Sequence, residues 1–151
     1  IQEERRIMAK VLQINTSLTK GVIKESVDKA MFKIDHGILG DAHAGDWHRQ
    51  VSMLGIESFA RMEMTNGELP MGSFAENLTT EGIELFTLPI GTKFRIGKEV
   101  LLEMTQIGKK CHTGCAISQL VGKCVMPQEG IFTIVLEEGT IYPGDEIVIV
   151  D

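Results

Sequence analysis

Two cysteines, a histidine and two lysines fall within Gln106–Ile117, QIGKKCHTGCAI, and a third cysteine, Cys124, follows nine positions after Cys115. Two chemistries are open to such a set. Cys111, Cys115, Cys124 and one histidine could supply the four tetrahedral ligands of a structural zinc ion. The spacing C-x3-C-x8-C, however, lacks the short C-x2-C knuckles of zinc ribbons, and 151 residues are enough to bury a core without a metal staple. The other chemistry is that of a reactive thiol. Lys109, Lys110 and His112 flank Cys111, with Gly108 and Gly114 on either side. Neighbouring positive charge stabilises a thiolate and lowers the thiol pKa, the condition for nucleophilic attack or soft-metal ligation. Cys115 and Cys124 read as small buried hydrophobes, the common fate of free cysteine. The position of Cys115, four residues after Cys111, keeps a resolving role open.

Two further stretches concentrate polar residues. Gly37–Gln50, GILGDAHAGDWHRQ, holds three glycines, two aspartates, two histidines and the only tryptophan of the chain. It is too polar and glycine-rich for a core element and reads as a loop. His43 and His48 lack a clear metal spacing, so capping of backbone groups competes with a ligand-binding role. In Gly72–Ile83, GSFAENLTTEGI, Glu76 and Asn77 stand at the start of a short apolar-polar alternation, hence at a strand start. Taken alone, Glu76 reads as a solvated carboxylate and Asn77 as a turn residue. A buried asparagine would instead suit the polar edge of a heterocycle.

The elements that must position these residues are mostly short strands punctuated by glycine. Alternation predicts strands over Lys10–Asn15, Met31–Ile34, Lys93–Ile96, Val100–Gln106, Phe132–Leu136 and Glu146–Val150, with a hairpin turn at Gly97-Lys98 and another turn at Pro143-Gly144-Asp145. Gln106, Lys109 and Lys110 then close a strand, with Cys111 at its mouth. Two segments break the pattern. Ser52–Met64 puts Met53, Ile56, Phe59 and Ala60 on one helical stripe, with Ser52 as N-cap and Glu57 and Arg61 as an exposed pair. Cys115–Val121 predicts a second, shorter helix. Many short strands with one or two helices imply a mainly β fold, a closed or nearly closed β-barrel.

Composition narrows the function. The net charge of −6 and pI near 5.2 argue against a nucleic-acid partner, while leaving room for a small local basic site. No apolar run approaches the roughly 20 residues needed to span a bilayer, and no signal peptide opens the chain, so no membrane partner is expected. Three cysteines fit a reducing, cytoplasmic setting better than a secreted disulfide framework. MAKVLQIN from Met8 reads as a natural start, which leaves residues 1–7 as an extension and residues 8–151 as a single domain.

Taken in order, these segments resemble the MOSC domain, named for the C-terminal domain of molybdenum-cofactor sulfurases. GDAHAG (Gly40–Gly45) looks like the family's Gly-Asp-x-His loop, and ENLTTEGI (Glu76–Ile83) is similar to its Glu-Asn-Leu-Thr stretch. LLEMTQIGKKC (Leu101–Cys111) falls where the family has a strand leading to its characteristic cysteine. EGIFTIVLEEGTIYPGDEI (Glu129–Ile147) resembles its closing strands. The resemblance implies a barrel-like fold with a pocket for the molybdenum cofactor (molybdopterin). It further implies that Cys111 carries sulfur as a persulfide or ligates molybdenum directly. Lys109 and Lys110 would lower the pKa of that thiol or hold the cofactor phosphate, and His43, Asp46 and Asn77 would line the pocket. A molybdoenzyme or a cysteine desulfurase would be the partner. The expected activity is sulfur transfer; the alternative is a module that stores or delivers cofactor without turnover. One motif departs from the pattern. Many members carry Arg-x-Pro-Cys where this chain has Gly108-Lys109-Lys110-Cys111, and a lysine is a point charge that does not replace a planar arginine fork. The chain has neither a pyridoxal-phosphate desulfurase domain nor the extra N-terminal barrel of larger molybdenum reductases, and so resembles the stand-alone form.

Overall fold

Strands that bury one face must find partners for both edges, and here they do so by closing on one another. The computed structural model describes residues 9–59, 70–108 and 129–150. Its elements are β1 (Ala9–Thr16), β2 (Glu25–Val27), β3 (Ala30–Lys33), β4 (Gly37–Ile38), β5 (Val51–Gly55), the helix α1 (Ile56–Phe59), β6 (Leu78–Glu81), a 3-10 turn (Leu85–Thr87), β7 (Lys93–Ile96), β8 (Val100–Ile107), β9 (Ile131–Glu137), β10 (Gly139–Ile141) and β11 (Glu146–Val150). Among the described residues, seven strands form a closed barrel in the order β1-β11-β7-β8-β9-β5-β6, with β6 returning to β1. The last strand closes on the first through Ala9↔Ile147 and Lys10↔Glu146. Strand β2 extends the wall beyond β1, and β10-β3-β4 form a small second sheet.

The alternation read from the sequence maps onto this wall. Phe94 and Ile96 of β7, Val100, Leu102 and Met104 of β8, Ile131 and Val135 of β9 and Ile147 of β11 fill the core. Strand β1 departs from strict alternation. A bulge between Val11 and Gln13 in its pairing with β6 lets Val11 and Ile14, three apart, both reach the core. The β7–β8 turn is one residue longer than a two-residue hairpin: Ile96 pairs with Val100, leaving Gly97–Glu99 as the loop.

The helix predicted over Ser52–Met64 is corrected. Val51–Gly55 is a strand between antiparallel β9 and parallel β6, α1 is confined to Ile56–Phe59, and residues 60–64 lie outside the described set. Ser52 is therefore no N-cap. The reason for the misreading is burial on both faces. Val51 and Met53 join the core, while Ser52 and Leu54 on the opposite face are also buried, so no two-residue period survives to distinguish strand from helix. The parallel β5–β6 pair requires a crossover, and its described part meets the outer face where Ser52 Oγ donates to the Ala75 carbonyl at 3.3 Å. Its Phe59 and Phe74 rings meet edge-on with centroids 5.0 Å apart. Glu57, expected to face Arg61, accepts the Gly82 N–H at 2.7 Å. The second predicted helix, Cys115–Val121, lies outside the described residues.

Polar side chains stitch the covered face together. Asn77 Oδ1 accepts the Ser52 N–H at 2.9 Å, Asn77 N–H donates to Ser52 Oγ at 2.9 Å, and Asn77 Nδ2 donates to the Asn15 carbonyl at 3.1 Å. Asn15 Nδ2 in turn donates to the Glu76 carbonyl and to Thr79 Oγ1, each at 3.1 Å. Asn15, Ser52 and Asn77 are all buried, so water cannot replace a lost partner. Asn77→Ala is expected to lower stability by about 2 kcal/mol, the cost of leaving buried donors and acceptors unmet. Urea denaturation at unchanged m-value measures it, and an unmoved midpoint would show that this amide does not hold the wall.

Candidate functional site

The loop between β4 and β5 is organised by one carboxylate. Asp41, the second residue of the GDAHAG loop, and Lys24, in the β1–β2 connection, form an ion pair at 2.8 Å with both side chains fully buried. Asp41 Oδ1 also accepts the Ser17 N–H at 3.1 Å, and Oδ2 accepts the His43 N–H at 3.0 Å. Lys24 Nζ donates to Ser17 Oγ at 2.8 Å as well. Burial pushes the Asp41 carboxyl up, but the Lys24 hydrogen bond and charge, with the His43 and Ser17 N–H groups, outweigh it and hold the carboxyl below its ordinary value.

A second buried carboxylate shapes the neighbouring loop. Glu76 Oε2 accepts Gly72 N–H at 2.8 Å and Thr79 Oγ1–H at 2.6 Å, while Oε1 accepts Phe74 N–H at 3.1 Å. The segment 72–76 thus wraps around its own carboxylate. Burial holds that carboxyl above its ordinary value, with the hydrogen bonds acting in the opposite direction. The reading of Glu76 as a solvated carboxylate is corrected, since the residue is wholly buried. Gly72 joins the two loops. The Lys24 N–H donates to its carbonyl at 3.0 Å, its φ is +93°, and a Cβ there would stand 2.4 Å from the Lys24 carbonyl oxygen. Only glycine meets both demands.

Beyond Asp41 the loop carries an aromatic and two cations. The Trp47 indole N–H donates to the His43 carbonyl at 2.8 Å, fixing the ring to the turn that Asp41 anchors. The Arg49 guanidinium carbon lies 4.8 Å from the Trp47 ring centroid and 5.5 Å from that of Phe132, and Lys20 Nζ lies 5.0 Å from the Trp47 centroid. Phe132 stands between Ile131 and Val135, which face the core, so its ring belongs to the outer face of the wall. His48 Nε2–H donates to Gln106 Oε1 at 2.7 Å, and Thr105 Oγ1–H donates to the His48 carbonyl. The loop is thereby docked where β8 runs out. There Gln106 Nε2 donates to the Gly108 carbonyl at 2.7 Å, and Gly108 N–H donates to Gly130 at 2.7 Å. The two ends of the 109–128 segment are therefore held side by side.

Of the residues expected to form a pocket, Lys109, Lys110 and Cys111 lie outside the described residues, as do Cys115 and Cys124. His43 is half-buried, its Nδ1 3.9 Å from Asp41 Oδ2. Asp46 is exposed. Asn77 is buried in the wall, with its Oδ1 and one amide hydrogen engaged. Asp41, Lys24 and Arg49 escaped the sequence reading. Asp41 sits inside the quoted loop motif and was detectable there. Lys24 had no signal, because a lone lysine in a turn gives no hint of burial. Arg49 follows His48 in a loop already singled out, and its stacking partners are distant in sequence or ambiguous in role. Among the described residues no three His, Cys, Asp or Glu side chains gather as a metal site.

The architecture is a closed β-barrel with a polar loop docked on its outer wall where β8 ends. The sequence matches the MOSC domain over residues 40–148, and the chain belongs to that family. The YuaD protein from Bacillus subtilis has a similar structure, with a TM-score of 0.78 and 22% identity over 96% of this chain and 97% of that one. YiiM from Geobacillus stearothermophilus follows at a TM-score of 0.70 and 20% identity, covering 95% of this chain and 75% of that one. A protein described as a reductase from Gibberella moniliformis is 28% identical over 102 residues, 62% of this chain, and the match spans 18% of that protein's length. No described helix is long and apolar enough to cross a membrane.

The buried pair is the support of the loop, and breaking it from one side strands a charge. Asp41→Asn and Lys24→Met are each expected to cost about 3–5 kcal/mol, and the double variant less than their sum. The pH dependence has a definite sign. The folded-state pKa of Asp41 is lowered, so its contribution is complete above the ordinary value of 3.8 and is lost as pH falls below that, through the folded-state value. The stability gap between wild type and Asp41→Asn should shrink in that acid window. Chemical denaturation at stepped pH measures this, and a gap constant into strong acid would contradict the assignment.

Proposed function

We propose that this chain binds molybdenum cofactor, or a related molybdenum–sulfur species, on the face where β8 ends, and that Cys111 serves there as a sulfur carrier or molybdenum ligand. Membership of a family linked to molybdenum-cofactor chemistry supports the reading. The observation that carries it is local. Strand β8 ends at Ile107 beside His48 and Arg49, and the next residues in sequence after Gly108 are Lys109, Lys110 and Cys111.

The described residues fit an anionic, oxygen-rich group on one count: Arg49 Nε is buried with no hydrogen-bond partner among them. Arg49, with Lys109 and Lys110, would hold the anionic end of the cofactor. Such a cofactor supplies a molybdenum centre with soft sulfur ligands, to which a thiolate is matched. His43 and the exposed Asp46 would contribute polar contacts at the rim, and Asn77 would act from the wall as a positioning residue.

As carrier, the Cys111 thiolate attacks the terminal sulfur of a persulfide donor, R–S–SH. A new S–S bond forms on Cys111, the donor S–S bond breaks, and the donor leaves as the thiolate R–S−; sulfane sulfur moves with no net oxidation. A persulfidated cysteine desulfurase would be such a donor and a molybdoenzyme the eventual recipient. A reducing cytoplasm would keep the thiol available. Incubation with a small-molecule persulfide followed by intact-protein and peptide mass spectrometry should add one sulfur atom at Cys111, and Cys111→Ser should abolish it. Sulfur retained by Cys111→Ser on Cys115 or Cys124 would overturn the assignment. A Cys111 that takes no sulfur while cofactor still co-purifies would leave a storage module.

A further inference from the structure

We infer that Trp47, Arg49 and Lys20 form a binding platform for a dianionic phosphate group on the outer wall beside the end of β8. Arg49 and Lys20 each approach the same indole, 4.8 and 5.0 Å from its centroid. Both distances are within the range of favourable cation–π contact. Two cations gathered on one ring repel each other, and the aromatic faces relieve only part of that repulsion. No described carboxylate pairs with either one. Elsewhere in this acidic chain Lys10, Lys33 and Arg95 meet Glu81, Glu138 and Glu137 at 3.8, 3.4 and 2.8 Å. The Asp41 charge inside the same loop is already matched by Lys24.

Arg49 is also prepared in shape. Its planar head lies near both Trp47 and Phe132, and the indole is fixed by its bond to the His43 carbonyl. A guanidinium carries its N–H donors in its plane, and the buried Arg49 Nε has no hydrogen-bond partner among the described residues. That is the fork geometry which phosphate oxygens satisfy in pairs and which a lysine cannot offer. The arginine missing before Cys111 is thus supplied from a different loop. The natural ligand, a phosphate monoester carried on an organic group, rests on the reading of this face as a cofactor site; the anion platform itself rests on the geometry of these three residues.

Trp47 is the only tryptophan in the chain, so intrinsic fluorescence reports on the platform alone. Titration of the full chain with inorganic phosphate at pH 8 should give a saturable change that chloride at matched ionic strength does not give. Arg49→Gln should weaken binding at least tenfold, Arg49→Lys nearly as much, and Lys20→Gln several-fold. Because Arg49 substitutions alter the tryptophan environment directly, equilibrium dialysis with labelled phosphate provides the second measurement. Lys20, being exposed, keeps the test open if Arg49→Gln fails to fold. No saturable phosphate binding by wild type, or equal affinity in Lys20→Gln and a folded Arg49→Gln, would overturn the inference. Phosphate binding is read with no sulfur donor present and sulfur uptake with no phosphate, so failure of the sulfur-carrier reading and failure of this one are separately visible.

Discussion

The buried Lys24–Asp41 ion pair is the constraint from which the functional face is built. Removing two charges from water is expensive, and the hydrogen bonds around the pair offset that cost. Asp41 takes the Lys24 ammonium and the N–H groups of Ser17 and His43, and Lys24 also reaches Ser17 Oγ. The effect is geometric. The β1–β2 connection and the β4–β5 loop, seventeen residues apart at the pair, become one body. From that body the support runs in two directions, to Trp47 through the His43 carbonyl and to the Glu76-wrapped turn through Lys24 N–H and Gly72.

The wall and the face differ in how visible they are in sequence. Wherever a strand has a core side and a wet side, as in β7, alternation exposes it. The signal fails at β5 because its outer side is buried too, making Ser52 and Leu54 interior residues. It also fails at Glu76 and Lys24, where a charged side chain is read as solvated by default. Burial of such groups is decided by partners brought in by the fold: Gly72, Phe74 and Thr79 for one, Asp41 and Ser17 for the other. Asp46 and Asp41 show the same limit within one loop. Spacing alone makes them equivalent, but Asp41 meets a lysine from another connection and is buried, while Asp46 remains at the surface.

The acidic composition of the chain and a cationic functional face are compatible because of how the buried carboxylates are treated. Asp41 is neutralised at contact distance by Lys24. Burial shifts Glu76 toward its uncharged form. Neither therefore projects a full negative charge onto the loops it organises, and the charges left there are those of Lys20, Arg49 and the exposed Asp46. A net charge of −6 is a property of the surface as a whole and does not fix the sign of the field within a Debye length, roughly 8–10 Å, of one pair of cations.

This local sign bears on the thiol chemistry. A thiolate is favoured by positive charge nearby, and the sequence places two lysines directly before Cys111. Lysine serves that electrostatic purpose as well as arginine does, whereas orienting a phosphate needs a fork held in one plane. In the proposed site the two point charges adjoin Cys111 in sequence, and the Arg49 head lies 4.8 and 5.5 Å from the Trp47 and Phe132 ring centroids on a loop that Asp41 anchors. An arginine three positions before the cysteine, as in Arg-x-Pro-Cys, would have to do both. Such a separation would let the barrel wall orient an anion while the lysines act on the thiol independently. On that reading the fork that the Cys111 motif lacks would come from Arg49, on the loop docked to the end of β8 through the His48–Gln106 hydrogen bond.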